Sequence, residues 1–551
     1  MKRVLLIPCL LLLLLGVVAY FASAGPLRVG KQRPIVVCYV DDVKTLDVGQ
    51  MSWMNDIRTA MALWEGLATY GPDSLKPIPG AAESWEISPD QKTYTFHLRK
   101  NAKWSNGDPV TSADFLFAWK RVFEPATRAN YVTLMYVIEG AEEYAKLRGD
   151  NKPADWSTVG VRAPDPYTLV VKLKYPRSYF LDLCAFPTFF PVNEKAMAPF
   201  LNDPGDPSKG FREQWERSPN LVTNGAYFLK DWKFKQHLLM EPNAYYWDRG
   251  NVKCDQLVIT SIADQRAALL AYQSGTVDVL TTVPQQFGED LLKQMDEGRT
   301  DIHYRPVFGT FYYIFNCTKA PLTDARVRKA LSLAVDREKI TTDVMRMRNR
   351  PLGLFVPPDA IPGYKSPEAL EPNVEEAKRL LAEAGYPGGK GMRSIEIVYN
   401  TEGSHGKIAQ AIGQMWETNL GVKVTYRALE RGSFATVRQI EHSFDVARAG
   451  WYGDYTDPTT WLNLAATGDE NNDGLYSNPE YDALLAKAAA APDAQMRLDL
   501  LSEAEGMLVQ KEFPFLYLYQ YCDGFMYDGK KIGGLEMNVR MLTELKWIYR
   551  K

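Results

Sequence analysis

A chain of 551 residues holds more apolar material than one core can organise, so two or three domains are expected. Its 46% hydrophobic and 24% charged residues are the composition of a folded globular protein and exclude extensive disorder. The net charge of −3, with no basic stripe, gives no general attraction to nucleic acid or anionic lipid, and nucleic acid is excluded as a partner.

Residues Met1 to Ala24 have the order of an export signal: Lys2 and Arg3 precede the apolar run Val4 to Phe21, and Ala22-Ser23-Ala24 supplies small residues for cleavage. An exported mature chain starting at Gly25, in a periplasmic or other extracytoplasmic space, is expected. The alternative is an uncleaved anchor, because Val4 to Ala22 is nearly long enough to span the ~30 Å hydrocarbon core of a bilayer. Pro8 and the Ala-Ser-Ala step favour cleavage. Cys9 lies within the apolar run and does not read as a lipid-attachment residue. The five remaining cysteines, Cys38, Cys184, Cys254, Cys317 and Cys522, are odd in number and lack CxxC spacing, so neither zinc nor a dense disulfide framework is indicated.

Pro34 to Tyr39 reads as the first strand, and Met51 to Leu67 as a helix. Tyr94, Phe96 and Leu98 alternate with Thr95, His97 and Arg99 in a half-buried strand. Thr111-Ser-Ala-Asp114 has the form of a capping box ahead of a helix running to about Val122. Further on, Thr323 is expected to cap a helix with Val327, Ala330, Leu331 and Ala334 on one face. Asn373 should cap another, with Ala377, Leu380, Leu381 and Ala384, ended by Gly385. A strand at Ser394 to Tyr399, a helix to Leu420, a strand at Val422 to Ala428 and a strand at Phe444 to Ala449 predict βαβ units around a parallel or mixed sheet. A Gly-Trp-Tyr-Gly turn is expected to break that last strand. Asp454 would then sit on the loop at its carboxyl end, where open α/β sheets bind ligands. Asp457-Pro458 reads as a helix N-cap with Pro at N1.

Several of these segments carry a resemblance. Ala82-Glu-Ser-Trp85, Tyr94-Thr-Phe-His-Leu-Arg99, Trp104-Ser-Asn-Gly-Asp-Pro-Val-Thr-Ser-Ala-Asp-Phe115 and Trp119-Lys-Arg121 look like the oligopeptide- and dipeptide-binding proteins of ABC importers, the extracellular solute-binding proteins of family 5. The match continues through Val222 to Trp232, Asp324 to Ala330, Leu381 to Tyr386 and Phe444 to Leu462, so it covers essentially the whole mature chain. It resembles the oligopeptide branch more than the nickel-binding one. The resemblance implies an α/β, two-lobed fold of the type II-like periplasmic binding proteins, with an extra domain and mixed sheets flanked by helices. Residues 25–64, 191–308 and 515–551 would form a discontinuous lobe I, residues 65–190 the extra domain and residues 309–514 lobe II.

It also implies a function without catalysis: capture of an oligopeptide and delivery to a membrane permease with its ATPase, by a monomer without cofactors. Asp454 matches the aspartate that holds the peptide's amino group, and Trp451 a pocket wall. Arg448 and His405 match basic residues that meet the peptide's carboxylate, and Tyr131 is a further pocket candidate. The competing readings are a strand arginine paired with Asp445 or a neighbouring acid, and a polar histidine at a helix N-terminus. Tyr452 stands where some members have a cysteine, and Gly309 stands at its partner's position, so that bridge is absent and the adjoining pocket is narrowed. Alternatives within the family are a dipeptide, a cell-wall peptide or a nickel complex as the solute.

A different class, an exported glycoside hydrolase, is kept because paired carboxylates leave no sequence signature. No GxSxG, HExxH or SxxK constellation is present. Gly385 to Gly391 is a helix stop rather than a phosphate loop, being one residue short with no Ser or Thr after Lys390. Asp469, Asn471, Asp473 and Glu480, with Gly474, fit the spacing of a calcium loop. The ordinary loop and helix start of Tyr476 to Asp482 is the preferred reading of that stretch.

Overall fold

The computed structural model describes residues 33–72, 75–358, 360–491 and 493–551, so the export segment Met1–Ala24 lies outside the described residues. Its centre is one mixed sheet whose strands run in the order Val424–Leu429, Ile395–Asn400, Val446–Tyr452, Ile302–Phe315, Phe515–Tyr527, Val279–Leu280, Ile35–Tyr39, Leu257–Ser261, His237–Pro242 and Tyr227–Lys233. Two long antiparallel strands, Ile302–Phe315 and Phe515–Tyr527, hold the two halves of that sheet together. Their register slips between Pro306 and Thr310 and again between Phe311 and Tyr312. Such irregularities add local twist and let a shared ribbon serve two bodies.

Successive strand side chains point to opposite faces, and each half of the sheet uses this to build a core on either side. In the first strand Ile35, Val37 and Tyr39 enter one core while Val36 and Cys38 enter another. In the other half Phe311, Tyr313 and Phe315 face one core, and Tyr312 and Ile314 a second. The expected βαβ units are present: Ile395–Asn400 pairs in parallel with both Val424–Leu429 and Val446–Tyr452, with the helix His405–Leu420 between them in sequence. A separate antiparallel sheet, Ala82–Ile87, Thr93–Leu98, Thr168–Lys172 and Val161–Asp165, lies within residues 65–190. Tyr94, Phe96 and Leu98 are buried there as the alternation requires.

Local signals held in most places. Thr111 and Asp114 form the reciprocal capping box of Ser112–Val122, and the Asn373 side chain accepts from the Glu376 N–H at 3.0 Å. Three expectations are corrected. The helix expected over Met51 to Leu67 is only Met54–Leu63, because the chain turns out at Trp64 so that Gly66 can press against the Cys184 carbonyl, where a Cβ would come within 2.1 Å. Asp324, not Thr323, caps Ala325–Leu333, accepting from the Arg326 N–H at 2.8 Å. The strand expected to stop at Ala449 continues to Tyr452, since pairing with the neighbouring long strand runs on from Phe311 opposite Gly450 to Gly309 opposite Tyr452. All five cysteines of the described chain are free thiols.

Candidate ligand site between the lobes

Asp454 follows the strand Val446–Tyr452 by two residues, at the end where the bodies of the molecule meet. Gly453 turns the chain there: its N–H donates to the Phe308 carbonyl at 2.8 Å, and a Cβ would lie 2.3 Å from the Phe308 ring. Only glycine fits that approach. The Asp454 main chain is fixed twice, its N–H donating to Thr460 Oγ1 at 3.1 Å and its carbonyl accepting from Arg540. Its carboxylate accepts from the Tyr131 hydroxyl at 3.1 Å. Among the described residues no Lys, Arg or His forms an ion pair with that carboxylate. Asp454 is partly buried. Burial pushes its pKa up to about 7, against the opposing pull of the Tyr131 hydrogen bond, the Arg540 charge and the Thr460 hydrogen bond.

Contacts from three parts of the chain converge on this loop. Tyr131 and the stacked pair Tyr179 and Tyr455, 4.6 Å between centroids, come from or face residues 65–190. Thr456 donates its N–H to Asp182 at 3.3 Å. Arg540, 1% exposed, links Tyr70, Asp182 and the Asp454 carbonyl. Asp457 is not the expected N-cap with Pro458 at N1, because the short helix Thr459–Leu462 has Pro458 as its N-cap. Asp457, one residue earlier, accepts from the Thr459 N–H at 3.1 Å and is ion-paired with Arg497 at 2.6 Å.

The structure places the other expected residues as follows. Trp451 packs against cores on both sides of the junction and donates its ring N–H to Thr460 Oγ1 at 3.2 Å. Arg448 is not the partner of Asp445, which is bonded instead by Arg393 at 2.5 and 2.8 Å. Its guanidinium lies 5.1 Å from the Phe311 ring and 3.5 Å from the Tyr521 hydroxyl, with no acid in ion-pair range among the described residues. His405 begins the helix His405–Leu420 and stacks on the same Phe311 ring, 5.8 Å between centroids. Burial, and then the positive charge of Arg448, pull its pKa down to about 2, so the imidazole is neutral. Arg448 therefore carries the charge of this pair, and His405 offers a hydrogen bond.

Gly309 and Tyr452 are direct cross-strand neighbours. A Cβ on Gly309 would lie 3.0 Å from both the Tyr452 and Tyr521 rings. The glycine makes room for the tyrosine, whose ring stacks on Tyr521 at 4.8 Å and lines a cavity of about 200 Å³. In the calcium-like stretch, Asp473 is buried and ion-paired with Arg438 at 2.9 Å, Asp469 accepts from the Asn471 N–H, and Glu480 is exposed in the first turn of Pro479–Ala490. Among the described residues no group of three or more His, Cys, Asp or Glu converges on a metal position. Sequence reasoning missed Arg540, Asp182 and Thr460; only Thr460, next to the Asp-Pro step, had a local signal.

Three relatives place this geometry. The periplasmic oligopeptide-binding protein OppA of Escherichia coli (strain K12) is 35% identical over 491 residues, 88% of this chain and 86% of its own. The crystal structure of Haemophilus influenzae OppA in complex with RPPGFSPFR superposes with a TM-score of 0.82 at 32% identity, covering 95% of this chain and 99% of that one. A structure of the Escherichia coli murein tripeptide binding protein MppA gives 0.84 at 30% identity over 96% and 100%. Its unliganded open form gives only 0.68, at 30% identity over 95% and 98%. The present arrangement, with its lobes in contact around Asp454, is thus distinct from that open form. These neighbours are two-lobed periplasmic binding proteins, and so is this fold. The model of the bacterial extracellular solute-binding proteins, family 5, matches residues 76–473, and the chain belongs to that family.

Proposed function

We propose that the protein captures short oligopeptides outside the cytoplasm and delivers them to the permease and ATPase of an ABC importer, acting as a monomer and making or breaking no bond. The observation that carries this reading is the Asp454 carboxylate, partly buried between the lobes and, among the described residues, without an ion-pair partner. Such a group suits the ammonium of a peptide, since an unpaired buried charge is costly. Arg448, with no acid in ion-pair range among the described residues, suits the terminal carboxylate, with His405 beside it. Arg448 and Asp454 lie six residues apart in sequence, Arg448 on the strand Val446–Tyr452 and Asp454 beyond the Gly453 turn. Tyr131, Trp451 and Tyr452 wall the intervening space. In this reading residues 25–64, 191–308 and 515–551 form lobe I, residues 65–190 the extra domain and residues 309–514 lobe II. Export by Met1 to Ala24 would bring the chain to its ligand.

Native mass spectrometry of the purified protein tests the reading directly. Peptides of mixed sequence and limited length should co-purify with it. Protein free of peptide that gives no heat on titration with tri- or tetrapeptides would overturn it.

The raised pKa of Asp454 adds a pH dependence. Below about pH 7 the carboxyl holds a proton that an arriving ammonium must displace. Affinity should therefore rise by up to about tenfold per pH unit towards 7, then fall as the peptide's own amine deprotonates near 7.7–8.0. The sign for folding is the reverse: a group with its native pKa raised favours the native state at low pH, so the unliganded protein should lose this contribution between the model-peptide value of 3.8 and about 7. Titrations at pH 5.5, 6.5 and 7.5 in buffers of differing ionisation enthalpy will detect the released proton. A flat profile would count against the assignment.

A further inference from the structure

The cavity of about 200 Å³ beside the candidate site is lined from two sides. Tyr452 and Arg431 enter from one lobe, and Asp41, Lys44, Trp53 and Arg58 from the other. Arg58, on the helix Met54–Leu63, is 6% exposed; its Nε donates to the Met541 carbonyl at 2.8 Å and its guanidinium lies 5.4 Å from the centroid of the Phe525 ring. Among the described residues no acceptor takes either Nη group, and no acid lies within ion-pair distance. The pKa of this guanidinium is lowered, first by burial.

The acids of the cavity are already engaged. Asp41 is ion-paired with Arg431, and Asp42 accepts from the N–H groups of Val43 and Lys235. Asp523 accepts from the Gly524 N–H at 2.7 Å and from the hydroxyls of Thr282 at 3.2 Å and Tyr452 at 3.4 Å. Burial also raises the Asp523 pKa, against the pull of the Gly524 N–H and the Arg58 charge, and raises that of nearby Asp56 to about 7. Lys44 and Arg431 each lie 4.1 Å from the Trp53 ring, and the Lys44 pKa is lowered by burial and then by Arg431. Arg58 is the buried cation of this cavity whose Nη groups meet no acceptor among the described residues.

We propose that this cavity receives a carboxylate of the ligand, an acidic side chain in the amino-terminal part of a bound peptide, held by the two free Nη groups of Arg58. The inference rests on the peptide-binding reading, and the position follows from Tyr452 lying two residues before Asp454. A guanidinium presents two parallel N–H groups to one carboxylate, a geometry that a neutral amide does not exploit equally. A merely structural arginine, anchoring the Met541 carbonyl, would be indifferent to the ligand's charge.

Isothermal titration with alanine tripeptides carrying Glu, Gln or Lys at each position in turn decides between them, using wild type, Arg58→Lys and Arg58→Met. At one position Glu should bind roughly 10–100-fold tighter than Gln to the wild type, the range for hydrogen bonds to charged groups. Arg58→Met should abolish that preference and Arg58→Lys retain part of it, while all three still discriminate against amino-terminal acetylation. Equal Glu and Gln affinities at every position in the wild type would overturn the inference without any variant. So would a preference for Lys, which would assign the cavity to its acids. A Glu preference that survives in Arg58→Met would remove Arg58 from the role. Absence of binding by every peptide would overturn the peptide reading itself, and this inference with it.

Discussion

Replacing Asp454 by Asn should weaken the binding of a free tri- or tetrapeptide by roughly 10²–10³-fold or more. The substitution keeps the side chain's shape and its contact with the Tyr131 hydroxyl, and removes only charge. Breaking a buried ion pair from one side costs about 3–5 kcal/mol, because the partner is left stranded, and each 1.4 kcal/mol is about tenfold in affinity. Acetylating the peptide's amino end removes the other charge, so wild-type protein should lose a similar factor with the acetylated peptide. The two changes together should cost much less than their sum, as expected of groups in direct contact. Titration of one peptide, free and acetylated, against both proteins completes the cycle. Equal wild-type affinity for the two peptides would sink the assignment, whatever else the protein binds.

What could be read from the sequence follows a physical division between local and long-range information. Caps, alternating strands and βαβ order are written in neighbouring residues, and Thr111 with Asp114, Asn373, and Tyr94 with Phe96 behaved accordingly. Element ends were less legible because tertiary pairing decides them. The strand through Gly450, Trp451 and Tyr452 is held extended by a partner 140 residues away in sequence, against the turn tendency of its own glycines. The site divides in the same way. Asp454, Arg448, Trp451 and Tyr452 share one stretch with a recognisable pattern, whereas Arg540 and Asp182 reach the same loop from distant segments that carry no local mark of that role. The reciprocal change at Gly309 and Tyr452 was visible as two departures from one pattern. Their cross-strand contact explains why they occur together: the larger ring needs the missing side chain.

Replacing Arg540 by Met should destabilise the protein by about 3–5 kcal/mol, the cost of leaving a buried carboxylate without its cation. Arg540 donates to Asp182 Oδ1 at 3.2 Å and to the Tyr70 hydroxyl at 3.0 Å, and Asp182 is only 7% exposed. Tyr70 and the Thr456 N–H also donate to Asp182, but neither supplies charge. Asp182→Asn in the same chain removes the stranded charge while keeping an acceptor for Tyr70, so the double variant should recover part of the loss, with a coupling of about 0.5–3 kcal/mol. Urea midpoints of the wild type, the two single variants and the double variant measure this. The same arginine holds the Asp454 carbonyl, so Arg540→Met should also weaken peptide binding while leaving the discrimination against acetylated peptides in place, because the Asp454 carboxylate is untouched. A single variant as stable as the wild type, or a double variant whose cost is the sum of its parts, would show that Arg540 and Asp182 do not act as a pair and that the loop bearing Asp454 is positioned by Thr460 and Gly453 alone.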